Sequence, residues 1–183
     1  TPGTYYATVT CYGPTGNESL PSNEISFVVA PATAPIKIGE QNILTIADSN
    51  NGNLLIAQSS TLSQTATVTS LSFYVRTTGG QLRLGIYSAT GPNGGPGTKL
   101  AETPEITPVL GWNTVNVVSG VTLQPGTYWL AYHPSSNALG FWRGTSAPSC
   151  RYYSRTYGVL PTTFSTTPTS YSSHWSLYAT LQP

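Results

Sequence analysis

Between Ile106 and Pro183 the chain has no aspartate and no glutamate. Most hydrolytic chemistry at neutral pH uses a carboxylate as acid, base, nucleophile or metal ligand, so this long stretch is poorly equipped for catalysis. Charge of either sign is scarce: charged residues are 7% of the 183, and the formal net charge is +1. A globular chain usually carries about a quarter charged residues. A field too weak to gather phosphates argues against nucleic acid as a partner. No run of 18 apolar residues exists, so no membrane-spanning helix is expected, and no signal peptide is visible. Methionine is absent, and the chain is expected to be a piece of a longer, secreted protein. Cysteine is limited to Cys11 and Cys150. They allow one long-range disulfide or two buried thiols, and strand alternation from Tyr5 onward turns Cys11 inward, which favours the thiols. No Cys/His group has zinc spacing, and no metal is assigned to a site.

What is present is aromatic and hydroxyl-rich. Apolar residues reach 38% and aromatics 11%, with Ser, Thr, Asn, Gly and Pro filling the rest. Such a composition fits short strands joined by turns. The acid-free stretch still carries Arg143, Arg151 and Arg155, both histidines and many tyrosines and tryptophans. Rings that stack and guanidiniums that pair with anions suit binding better than catalysis.

Residues 1–30 alternate as a hairpin. Tyr5, Ala7, Val9 and Cys11 share one strand face, Gly13-Pro14-Thr15-Gly16-Asn17 is turn chemistry, and Glu24 to Val29 supplies a second strand. Two prolines make 31–36 a semi-rigid linker. From 37 to 183, strands are expected at 43–46, 54–57, 66–77, 81–87, 112–118, 121–123, 127–133, 139–143, 150–157 and 175–181, with Gly91-Pro92-Asn93-Gly94-Gly95-Pro96-Gly97 as a loop. No window has a helical period. The expected fold is all-β: an antiparallel, jelly-roll-like β-sandwich with an N-terminal β-hairpin.

These motifs carry two resemblances. Pro2-Gly3-Thr4-Tyr5, the alternation through Cys11, and Pro21-Ser22-Asn23-Glu24 resemble the last two strands of a fibronectin type III domain, with Tyr5 as its corner tyrosine. The order Phe73-Tyr74-Val75, Leu82-Arg83-Leu84-Gly85-Ile86-Tyr87, Gly111-Trp112-Asn113, Leu123-Gln124-Pro125-Gly126-Thr127-Tyr128-Trp129 and Trp175-Ser176-Leu177-Tyr178-Ala179 is similar to β-sandwich carbohydrate-binding modules appended to secreted bacterial polysaccharide-degrading enzymes, xanthan-binding modules among them. The resemblance implies an extracellular bacterial protein, a polysaccharide partner, and a covalently linked catalytic domain in the parent protein.

The residue pattern offers one main candidate site. An indole or phenol face stacks on the apolar face of a pyranose, and arginine holds a carboxylate in a bidentate fork. On a strand over 150–157, Arg151, Tyr153, Arg155 and Tyr157 share one face, and Trp142 and Arg143 lie nearby. Together they read as a strip for an anionic glycan; the bland alternative is a solvated strand face with Trp142 in the core. His133 and His174 are either hydroxyl donors or structural. Trp112, at a strand start, is expected in the core. Trp129, Ala131 and His133 oppose Tyr128, Leu130 and Tyr132 on one strand, and which of those faces is outward is left open. No cofactor is expected. The turn Asp48-Ser49-Asn50-Asn51-Gly52-Asn53 offers oxygens for a structural calcium, but with one carboxylate an Asx turn is the simpler reading. The expected function is non-catalytic polysaccharide binding. The alternative is a cell-surface spacer, and an enzyme would have to draw its acids from Glu40, Asp48, Glu102 and Glu105.

Overall fold

The structure, a computed structural model, describes residues 1–145 and 149–183. The chain divides into two compact units, Thr1–Ala34 and Pro35–Pro183. In the first, β1 (Gly3–Ala7) and β2 (Ile25–Val29) pair antiparallel with Tyr5 opposite Phe27, and those rings stack with centroids 5.5 Å apart. The strand ends four residues before Cys11, which is exposed with a free thiol rather than turned inward. Side chains have taken over the ladder there: the Val9 and Cys11 amides donate to the hydroxyls of Ser22 and Ser19, a substitution that serine makes readily.

The second unit runs through β3 (Ile36–Gly39), β4 (Ile46–Asp48), β5 (Leu54–Leu62), β6 (Ala66–Thr77), β7 (Leu82–Ser88), β8 (Lys99–Glu102) and β9 (Gly111–Asn116). It continues with β10 (Thr122–Leu123), β11 (Gly126–Pro134), β12 (Gly140–Gly144), β13 (Cys150–Ser154), β14 (Thr169–Tyr171), β15 (His174–Trp175) and β16 (Leu177–Gln182). Among the described residues every pairing is antiparallel, and the strands of this unit form two sheets packed as a sandwich. One has the order β14-β13-β5-β11-β7-β8; the other has the path β15-β12-β6-β16-β3, with β9 and β10 also on β6 and β4 on β12. Strands β3, β8 and β14 had no signal strong enough to be read from the sequence, and the expected strand at 43–46 forms later, at β4. The 150–157 strand stops at Ser154.

Period-2 alternation fills the space between the sheets. Leu71, Phe73 and Val75 of β6, Phe141 of β12, and Leu177 and Ala179 of β16 meet Ile56, Leu82, Leu84, Ile86, Leu130 and Tyr132 of the six-stranded sheet in one buried cluster. Phe73 is its hub, with Phe141 and Tyr132 both at ring centroids 4.7 Å away. Val68 also points inward although its parity differs from Leu71. Leu181 pairs with Val68 while Thr180 pairs with Ser70, so Thr69 is an extra residue that flips the face, as a β-bulge does.

The two sheets are also tied by polar bonds. Gln58 of β5, 1% exposed, donates from Nε2 to the carbonyls of Trp175 and Leu177 at 3.2 and 3.1 Å, and accepts the Trp175 amide on Oε1 at 2.6 Å. Gly39 marks a close approach. Its φ is +105°, and a Cβ there would sit 2.4 Å from the Leu177 carbonyl and 2.6 Å from Leu130.

The outer face of the six-stranded sheet is covered as well. Leu55, Ala57, Tyr87, Trp129 and Ala131 form a second cluster with Leu160 and Phe164. The covering segment is held by Phe164 N–H on the Gly97 carbonyl, Lys99 N–H on that of Thr162, and the Tyr87 hydroxyl on that of Pro161. Both faces of β11 are therefore buried, which answers the question its sequence leaves open.

Candidate functional site

The eight residues singled out from the sequence fall in three places. Arg151, Tyr153, Arg155, Tyr157 and His133 lie on the outer side of the six-stranded sheet, in and beside the covered region. Trp142 is on the outer face of the eight-stranded sheet. Arg143 and His174 belong to the margin where the sheets meet.

On the six-stranded sheet the four-residue strip does not form as a strand face, because β13 ends before Arg155. Tyr153 packs edge-on against Phe164 at 4.9 Å, and burial pushes its phenol pKa up, against the opposing pull of Arg155. The turn before β5 sets the path of the chain after β13: Asn53, held at φ 60°, accepts the Arg155 amide on its carbonyl and the Tyr157 amide on its side chain. Arg155 then donates to the Val159 carbonyl at 3.1 Å. Burial pushes the Tyr157 phenol pKa well up, reinforced by Glu105 and opposed by Arg83. Arg151 stands over the Trp129 indole, 5.4 Å from its centroid.

His133 is fully buried, with Nε2 3.1 Å from the Arg155 carbonyl. A carbonyl only accepts, so Nε2 carries a proton and donates it to that bond. Desolvation lowers its pKa below the ordinary 6.5 and the Arg155 and Arg83 charges add to that, against the backbone hydrogen bonds to Arg155 and Gly158, which favour the charged ring. His133 thus lies in the interior, which has a consequence for pH. The unfolded chain takes up a proton on this ring at higher pH than the folded one. The stability it contributes is complete above about pH 6.5 and is lost as pH falls from there toward the depressed folded value. Melting temperature should drop between pH 7.5 and 5.5, and His133→Gln should flatten that slope. An unchanged slope would contradict this account.

The outer face of the eight-stranded sheet presents a row of rings. Ser70, Ser72, Tyr74 and Arg76 alternate with the core residues of β6. Tyr74 pairs with Trp112 of β9, and Ser72 with Tyr178 of β16. Small Ser72 leaves room for the indole and the Tyr178 phenol to meet across β6 with centroids 5.0 Å apart, and Tyr74 meets the same indole edge-on at 5.5 Å. Each of the three rings is half-buried. Cations stand at both ends. Lys37 Nζ is 4.8 Å from the centroid of Tyr178, and the Arg76 guanidinium 5.4 Å from that of half-buried Trp142. Both cations are exposed, and among the described residues neither is ion-paired with a carboxylate. Trp112 is therefore not a core residue. Its neighbour Asn113 takes the inward position, since the Asn113 amide bonds the backbone of Val109 and Gly111.

A cleft of about 260 Å³ opens at the margin between the sheets. Asp48, at the end of β4, accepts the Trp175 indole N–H at 2.7 Å and the Asn51 amide at 2.6 Å, both on Oδ2. Its Oδ1 is 3.7 Å from Arg143 Nε, and Arg143 Nη1 donates to Ser173 at 3.0 Å. Tyr152, Tyr171 and Cys150 complete the walls. Burial raises the Cys150 thiol to about 11, so it is a protonated wall and not a nucleophile. The single carboxylate of the 48–53 turn is committed to N–H donors and a guanidinium, an arrangement that does not fit a calcium ligand set. His174 is buried, with Nε2 3.4 Å from Glu40.

Sequence reasoning did not single out Lys37, Tyr74, Arg76 and Tyr178 on the sheet face, or Tyr152, Tyr171 and Trp175 in the cleft, and it named Asp48 only as a calcium oxygen or an enzyme's acid. The alternation of β6 was a usable signal for Tyr74 and Arg76, since inward Phe73 and Val75 put both outside. Nothing local marks the cleft, whose parts come from six strands and the turns between them. No protein family matches the chain, and no curated protein matches it significantly. Fold and surface together define an all-β sandwich with an aromatic, cation-flanked sheet face.

Proposed function

We propose that the sandwich is a non-catalytic module that binds an acidic polysaccharide and, in its parent protein, keeps a linked enzyme near that substrate. The observation that carries this reading is the row Tyr178, Trp112 and Tyr74, continued by Trp142 and flanked by Lys37 and Arg76. The rings offer a platform for successive pyranose faces, and unpaired cations at both ends favour acidic substituents. Each contact is weak, so an extended polymer that engages the row at several points gains most. The engagement of the carboxylates supports a non-enzymatic reading. Asp48, Glu102 and Glu105 each lie within ion-pairing distance of an arginine or lysine, and Glu40 of His174.

Affinity electrophoresis in gels containing xanthan, alginate, pectin, xylan or a neutral cellulose derivative tests the reading. An acidic polymer should retard the protein, less so at high salt, where exposed charges are screened within about 10 Å or less. Replacing both cations, Lys37→Gln with Arg76→Gln, should weaken retardation at low salt by about tenfold and remove most of its salt dependence. Retardation by no polymer, or by acidic and neutral polymers alike, would overturn the proposal; the first outcome would favour the spacer reading.

A further inference from the structure

We infer that the cleft between the sheets is a second site, one that takes a single neutral hexopyranose unit such as a chain end or a side branch. The inference rests on the glycan-binding reading of the sheet face but uses different residues, so the two can fail separately.

Size comes first. At about 260 Å³ the cleft is slightly smaller than the roughly 300–1,000 Å³ pockets that hold drug-sized ligands. One ring fits that scale, and an extended chain suits the open sheet face better. Shape comes next. Tyr171, 53% exposed, stands at the mouth, while half-buried Tyr152 and nearly buried Trp175 lie within. Aromatic walls of this kind accept the apolar face of a sugar.

The polar wall supplies selection. Asp48 and Arg143 place an acceptor and a set of donors side by side, with Oδ1 and Nε 3.7 Å apart. Neighbouring hydroxyls of a pyranose each donate and accept, so this pair can read two of them at once. The wall is fixed before a ligand arrives. Trp175 and Asn51 hold Asp48 through Oδ2, Ser173 holds Arg143 through Nη1, and such preorganisation lowers the ordering cost of binding. Charge decides between neutral and acidic sugars. The Asp48 carboxylate already offsets the Arg143 cation, and a uronate entering the cleft would face it. The open sheet face, with Lys37 and Arg76 unpaired, has the opposite preference.

The four tryptophans make the test direct, because their indole N–H groups report three places: Trp175 the cleft, Trp112 and Trp142 the sheet face, and Trp129 the covered face of the other sheet. The whole chain, labelled with nitrogen-15, is titrated with the methyl glycosides of glucose, mannose and galactose and with methyl glucuronide. The expected result is a saturable shift of the Trp175 indole signal with at least one neutral glycoside at millimolar concentration, and none with the glucuronide. Arg143→Lys removes the planar fork while keeping charge, and Tyr171→Ala truncates an exposed side chain; each should weaken the response at least tenfold. Trp112→Ala should leave it unchanged. No Trp175 shift with any neutral glycoside would overturn the inference, as would a shift that survives both cleft variants. A Trp175 response without retardation by any polymer would leave the cleft standing and remove the sheet-face reading.

Discussion

Gln58→Leu is expected to destabilise the sandwich by about 3 kcal/mol. The side chain is buried and makes three hydrogen bonds to the backbone of Trp175 and Leu177. Leucine fills similar volume but offers no polar atom. The Leu177 carbonyl keeps the Glu40 amide as a donor, so the main losses are the Trp175 amide and carbonyl. A buried group left unmatched costs about 1–3 kcal/mol. For a chain of this size each kcal/mol lowers the melting temperature by about 2–4 °C, which gives a drop of roughly 6–12 °C. All four tryptophans lie in the second unit, so their fluorescence follows its unfolding without a contribution from the hairpin. Gln58→Glu provides the control. Ionised, it faces two carbonyls without a donor; protonated, it regains one, so its deficit should shrink as pH falls toward 4. A Leu variant that melts within 2 °C of the parent would show that the tie contributes little.

The same residue illustrates where sequence reading stops. Gln58 sits in an apolar run, and its neighbours Leu55 to Ala57 mark the strand well enough. Its partners are more than a hundred positions away, and no local rule pairs a glutamine with a tryptophan backbone at that separation. Alternation within a strand was legible: Leu71, Phe73 and Val75 inward, and Leu82, Leu84 and Ile86 on one face, as the buried cluster has them. Alternation assigns two faces but does not say what covers each. For β11 both are covered, one by the opposite sheet and one by the segment carrying Leu160 and Phe164. The Arg151 to Tyr157 strip failed as a strand face for a related reason. Asn53 captures the backbone at Arg155 and Tyr157, and that capture depends on a turn about a hundred residues earlier. Trp112 was misplaced because indoles usually favour cores, whereas at this strand start an asparagine amide that satisfies three backbone groups takes the inward position.

Trp112→Ala should cause the largest loss of polysaccharide binding of any single change on the sheet face. The indole touches both Tyr74 and Tyr178, so its removal takes away the central platform and leaves two flanking rings without a shared neighbour to fix their tilt. Central aromatic anchors in binding surfaces are often worth about 2 kcal/mol or more, which corresponds to roughly a 30-fold loss of affinity. Stability should change much less, because the ring is half-exposed and lies outside both buried clusters. Trp142→Ala removes an end ring and the seat of Arg76, and a loss of about fivefold is expected, concentrated at low salt where the cation contributes. Trp129→Phe changes the covered face of the other sheet and should leave retardation as it is. That ordering, centre above end above opposite face, is what a polymer lying along the row requires. In the proposed reading the burden falls on shape as well as on charge: Lys37 and Arg76 select an acidic chain, but only rings held at fixed spacing register its pyranose faces. A Trp112→Ala protein that stays folded and is retarded as strongly as the parent in an acidic-polymer gel would move the binding site off this face.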